Sequence, residues 1–142
     1  MSSPFHYLQV HHTGIVVTDL DAAAEKYQAL GFTGAHRFAV PQQGIEAITF
    51  PCGDGFIELI SPTDPDGAIA RFMAKRGEGV HHVAYRVDDI EAALADLRER
   101  GVRLIDETPR SGAHGWLVAF IHPEAACGVL TELVQTDGTA HD

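Results

Sequence analysis

Two histidines and two glutamates stand at matched places in the two halves of this chain: His12 and Glu58 in the first, His82 and Glu132 in the second. Each glutamate follows its histidine at a similar distance, 46 residues in one half and 50 in the other. Each also interrupts an apolar run, Phe56-Ile57-Glu58-Leu59-Ile60 and Leu130-Thr131-Glu132-Leu133-Val134. A lone carboxylate in a buried strand is costly unless it is paired or bound to a cation. Two imidazoles and two carboxylates brought together make a metal site. The donors are nitrogen and oxygen without thiolate, a set that suits Co2+, Ni2+, Mn2+, Fe2+, Mg2+ or Zn2+. In an octahedral shell they leave two adjacent positions for water or a chelating substrate.

The elements that must position these residues are duplicated. Residues 10–31 align on 80–101 without a gap, with eight identities in 22 positions. The identities are Val10/Val80, His11/His81, His12/His82, Val17/Val87, Asp19/Asp89, Ala22/Ala92, Ala23/Ala93 and Gly31/Gly101. Residues 12–17 and 82–87 read as strands, and Asp19 and Asp89 as helix N-caps. Leu20, Ala23, Ala24, Tyr27 and Leu30 follow helical spacing, as do Ile90, Ala93, Leu94 and Leu97. Gly31 and Gly101 sit where a helix ends on a residue of positive φ. Later strands are expected over 35–40, 45–50 and 56–61, and in the second copy over 102–105, 116–121 and 129–135. Each copy is therefore βαβββ, and the fold class is α+β, with two tandem modules related by pseudo-twofold symmetry. Such symmetry brings equivalent residues together, so His12 and His82 converge, with Glu58 and Glu132 beside them. His11 and His81, on the opposite face by strand alternation, are assigned to packing under the helices.

The 142 residues form one domain: a first module of about 1–65, a connecting helix over 66–77, a second module of about 78–135, and a polar tail over 136–142. The longer second spacing is accommodated by a loop around 111–115. At 45% hydrophobic and 21% charged, the composition is that of an ordinary globular chain. A formal net charge of −10 disfavours nucleic acid and anionic membranes as partners. The first ten residues show no secretory signal, and no apolar run approaches a membrane span. Cys52 and Cys127 read as small reduced core residues, consistent with the cytoplasm.

These residues resemble the vicinal oxygen chelate superfamily, whose paired βαβββ modules form a cupped mixed β-sheet with helices outside. Within it, the chain is similar over nearly its whole length to the methylmalonyl-CoA epimerase family. The stretches that carry this are Gly101-Val102-Arg103-Leu104-Ile105-Asp106-Glu107, Gly112-Ala113-His114-Gly115 and Gly128-Val129-Leu130-Thr131-Glu132-Leu133. The resemblance implies metal-dependent epimerisation of (R)- and (S)-methylmalonyl-CoA through removal of the α-proton. It implies one divalent ion per chain, Co2+ first among those above, held by His12, Glu58, His82 and Glu132. Glu132 is expected to act in proton transfer as well, and the substrate to be an acyl-CoA thioester. A homodimer is expected by the same resemblance.

Two positions depart from the family pattern. A catalytic glutamate is expected four residues past the Gln of the Gln43-Gly44 pair, and Ala47 stands there; Glu46 is one residue away and so turned to the other face. After His122-Pro123, where relatives carry a lysine suited to CoA phosphates, this chain has Glu124. Arg37, Lys75, Arg76 and Arg110 are the substitutes to consider. A glutathione-dependent glyoxalase would share the ligand set, although His122-Pro123-Glu124-Ala125 replaces its usual Asp-Pro-x-Gly turn. An extradiol dioxygenase needs three open metal positions, and Glu58 fills one. A non-enzymatic small-molecule binding protein on this scaffold has no use for all four ligands.

Overall fold

The structure, a computed structural model, describes residues 3–136. Its elements run β1 (Tyr7–Val16), α1 (Leu20–Ala29), β2 (His36–Val40), β3 (Ile45–Cys52), β4 (Gly55–Pro62), α2 (Ala68–Arg76), β5 (Gly79–Val87), α3 (Ile90–Glu99), β6 (Arg110–Ser111), β7 (Leu117–Ile121) and β8 (Thr131–Gln135). The order is βαβββ twice, with α2 between. No helix among the described residues is long and apolar enough to cross a membrane.

Packing groups the chain into two compact units, residues 12–81 and residues 1–11 with 82–142. In the first, the strand order is β2-β3-β4-β1, antiparallel except for β1 beside β4, which run parallel. Asp19 caps α1 by accepting the Ala22 N–H at 3.0 Å. The helix ends at Gly31 (φ 103°), where the Gly31 and Phe32 N–H groups donate to the carbonyls of Gln28 and Tyr27. Leu20, Ala23 and Ala24 of α1 pack on Ile48, Phe50 and Leu59, with Ile15 and Ile57 at the margin. One face of this sheet is thus buried under α1.

The second unit repeats the plan with β5-β8-β7-β6, β5 and β8 being parallel. Asp89 caps α3 through the Ala92 N–H, and Gly101 (φ 80°) ends it with the same pair of carbonyl contacts. Ile90, Ala93 and Leu94 pack on Val87, Ala119, Ile121 and Leu133, together with Phe5 from the N-terminal segment.

Several local expectations are corrected. Residues 102–105 form no strand; only an isolated bridge joins Leu104 to Ile121, and the pairing with β7 resumes at the two-residue β6. A side chain breaks the ladder: the Asp106 carboxylate takes the Phe120 N–H at 2.8 Å, and Pro109 brings no N–H of its own. The extra length of the second copy lies mainly between β7 and β8, in residues 122–130, where the first copy turns within Gly53-Asp54. Cys52 and Cys127 are both exposed rather than in the core, one at the end of β3 and one at a turn with φ 58°. Thr136, the first residue of the expected polar tail, is buried, and the rest of that tail lies outside the described residues.

Candidate metal centre

Strand alternation decides which side chains can do chemistry, because the helix side of each sheet is filled. On β4, Ile57 and Leu59 face α1, which sends Glu58 to the other side. On β1, Ile15 packs toward α1, so His12 lies on the same side as Glu58. The parallel pairing sets Glu58 beside Gly14, two residues beyond His12. Nε2 of His12, a residue only 7% exposed, stands 3.5 Å from Oε1 of Glu58.

The second unit reproduces this arrangement. Leu133 and Val87 pack toward α3, and Glu132 and His82 occupy the opposite face. Glu132 pairs with Ala84, again two residues past the histidine. His82 Nε2 and Glu132 Oε1 are 3.2 Å apart, with both residues buried.

Each pair suits a metal ion. Two donor atoms about 2.1 Å from one cation, at 90–109° to each other, lie about 3.0–3.4 Å apart. Of the two observed separations, 3.2 Å falls inside that window and 3.5 Å just above it. Imidazole nitrogen and carboxylate oxygen are also the donors that divalent cations of the Co2+, Zn2+ and Mn2+ kind accept.

Alternation and register also identify neighbours that the one-dimensional pattern did not mark. Phe120 lies directly across from Glu132 on β7, and its ring meets His82 edge-on. The Arg110 guanidinium sits 5.3 Å from the Phe120 ring centre. Behind these, Ala84, Val118 and Val134 form a buried apolar patch with Trp116 against it. In the first unit the ladder carries Glu58 to Thr49 and Thr49 to His36, and Ile60 to Ala47 and Ala47 to Phe38.

Ala47 therefore occupies the His12 and Glu58 face, and Glu46 turns to the α1 side. There Glu46 meets Arg37 at 2.9 Å, and Arg37 also pairs with Asp21 of α1. Of the basic residues suggested for phosphate contact, Arg37 is thus engaged elsewhere. Arg76 lies over the Phe72 ring. Arg110 is exposed and beside the site. The second repeated histidine pair packs on aromatic rings: His81 on Phe72 of α2, as expected of a helix contact, and His11 on Trp116 rather than under a helix.

Comparison with known proteins agrees with this architecture. Residues 11–120 match the model of the Glyoxalase/Bleomycin resistance protein/Dioxygenase superfamily. The chain is 36% identical to the mitochondrial methylmalonyl-CoA epimerase of Homo sapiens, over 89% of this chain and 73% of that one. It is 38% identical to an ethylmalonyl-CoA/methylmalonyl-CoA epimerase of Cereibacter sphaeroides, over 89% and 97%. A solved methylmalonyl-CoA epimerase in complex with methylmalonyl-CoA and NH4+ superposes with a TM-score of 0.86 at 37% identity, covering 94% of this chain and 97% of that one. The α+β fold is the one those enzymes use, and the named relatives are isomerases.

Proposed function

Because the chain belongs to the glyoxalase/bleomycin resistance protein/dioxygenase superfamily, and within it to the methylmalonyl-CoA epimerases, we propose that it interconverts (R)- and (S)-methylmalonyl-CoA. The observation that carries this reading is the duplicated pairing of a buried histidine with a glutamate on the sheet face away from the helix. In the proposal His12, Glu58, His82 and Glu132 hold one divalent ion, Co2+ by family resemblance, with Ni2+, Mn2+, Zn2+, Mg2+ and Fe2+ also compatible with the donors. When bound, such an ion supplies Lewis acidity toward a thioester carbonyl and the charge that develops on it.

The chain's own groups move the proton and shape the site. Glu132 exchanges a proton with the α-carbon at one face, the C–H electron pair passing into the thioester enolate and returning when the carbon is reprotonated. Phe120, with the apolar patch of Ala84, Val118 and Val134 behind it, limits water around that carboxylate. Arg110 meets an anionic part of the CoA moiety, the role left vacant by Glu124. Exposed free cysteines suit a reducing compartment, and we place the protein in the cytoplasm, as a homodimer by family resemblance.

The test is exchange of the substrate's α-hydrogen in deuterated water. Metal-loaded protein should wash deuterium into methylmalonyl-CoA and interconvert the antipodes, and metal-stripped His82→Ala should do neither. Full exchange by stripped protein would refute the ion's part. Turnover of the methylglyoxal–glutathione hemithioacetal, or oxygen uptake with catechols, in place of exchange would point to the glyoxalase or dioxygenase chemistries instead.

A further inference from the structure

Arg86 is a cation that the reaction described above leaves unused. On β5, Val87 packs under α3, so Arg86 lies on the opposite face, shared with Glu132 and His82. The register agrees: Ala84 pairs with Glu132 and Arg86 with Val134, one row further along. Arg86 and Glu132 are therefore diagonal neighbours on adjacent strands. With strands about 4.8 Å apart and a rise of about 3.3 Å per residue, their backbones stand about 8 Å apart. A side chain as long as arginine spans that gap.

The duplication shows that the fold does not require this charge. At the offset of 70 residues the first module has Val16, fully buried and paired with Ile60. Arg86 is instead half-buried, and its Nε is a buried donor that meets no acceptor among the described residues. A donor left unanswered in this way costs stability. Its surroundings are apolar: Ala84, Val118 and Val134 form a buried patch with Trp116 against it.

The row that holds Arg86 continues through Val134 and Val118 to Arg110. Two cations thus flank one apolar strip, in the row next to Glu132. Methylmalonyl-CoA is anionic in two places, at the carboxylate on its reacting carbon and at the phosphates of the coenzyme. Arg110 stands on β6, two strands from Glu132, whereas Arg86 stands on β5, directly beside it. The carboxylate, attached to the carbon on which Glu132 acts, therefore falls to Arg86, and the coenzyme to Arg110.

We propose that Arg86 binds the free carboxylate of the malonyl group and makes the site selective for acids over simple acyl thioesters; this rests on the epimerase reading above. The planar guanidinium presents paired N–H donors that match the two oxygens of a carboxylate. The Nε–H and the N–H beside it donate to those oxygens, so the substrate supplies the acceptor that the protein omits. A carboxylate offers about four lone-pair sites, which leaves it free to meet a metal ion as well. A thioester without the carboxylate leaves the guanidinium unanswered. Buried donors left unpaired by the wrong ligand are the source of strong discrimination.

Calorimetric titration of metal-loaded protein with methylmalonyl-CoA and with propionyl-CoA, which lacks only the carboxylate, tests the assignment. Arg86→Met should weaken methylmalonyl-CoA by about 10–10²-fold, the worth of a charged hydrogen bond, and propionyl-CoA by less than about twofold. Without ligand, Arg86→Met should unfold at no lower a temperature than the parent, because the lost Nε–H had no partner. Arg86→Lys should recover only part of the affinity, since an ammonium lacks the paired donors. Unchanged affinity of Arg86→Met for methylmalonyl-CoA would overturn the proposal. An equal loss for both thioesters would also overturn it, as would a parent that binds the two alike. Deuterium exchange at the α-carbon checks the epimerase reading separately. A parent that prefers methylmalonyl-CoA through Arg86 yet exchanges no α-hydrogen keeps the carboxylate assignment and loses that reading.

Discussion

The ring of Phe120 meets the imidazole of His82 edge-on, with centroids 6.0 Å apart and planes at 85°. Phe120 is the residue directly opposite Glu132 on the neighbouring strand, so one aromatic side chain borders both members of that donor pair. Neighbours that orient ligands commonly affect metal affinity by about 10–100-fold. Phe120→Ala should therefore weaken Co2+ binding by about tenfold, with Phe120→Leu closer to the parent. Titration followed by thermal denaturation reads this directly, because an ion at 100 times its dissociation constant stabilises the fold by about 2.7 kcal/mol. Equal metal-induced shifts in parent and Phe120→Ala would show that the ring does not hold His82 in place.

Arg110 and Arg37 are both exposed cations, yet their surroundings separate their functions. Arg37 is held by Asp21 and Glu46 on the α1 side. Arg110 lies over Phe120 and 3.4 Å from Asp106. Arg110→Ala should raise KM for methylmalonyl-CoA several-fold with kcat little altered, the pattern of lost uniform binding. Arg37→Ala should leave both kinetic constants in place and change stability little, as exposed ion pairs do. Steady-state kinetics and urea denaturation distinguish the two.

Glu78 accepts the backbone N–H of Thr18 at 2.8 Å, and this bond holds its carboxyl below the ordinary glutamate value of 4.5. A carboxyl whose folded pKa is depressed stabilises the fold above its unfolded pKa, and that contribution fades as pH falls through the folded value. Glu78→Ala should consequently lower the urea midpoint at pH 7, and the gap from the parent should narrow on going to pH 3. A gap as wide at pH 3 as at pH 7 would mean that the charge plays no part.

Much of this architecture was legible in the chain because duplication lets each half check the other. His12 and His82 are ordinary strand histidines singly; their common offset, and an acid breaking the same apolar pattern in each copy, set them apart. Alternation then placed Glu58 and Glu132 on the open face, since the neighbouring leucines and isoleucine must go under the helices. What escaped was set by contacts distant in sequence. The strand expected over 102–105 fails because the Asp106 side chain, not a backbone carbonyl, answers the Phe120 N–H. Nothing in the local composition marks that substitution.

Phe5 fills the interior beneath α3, packed with Val87, Ile90 and Leu133, although it stands before β1 at the opening of the first half of the chain. Cutting the gene at its internal duplication would hence deliver a C-terminal fragment with a hole where an aromatic plug belongs. Its N-terminal counterpart would carry that plug as an orphaned greasy tail. The two halves are therefore interdependent as polypeptides, and reconstitution from separate pieces should succeed only when the opening segment travels with the later half.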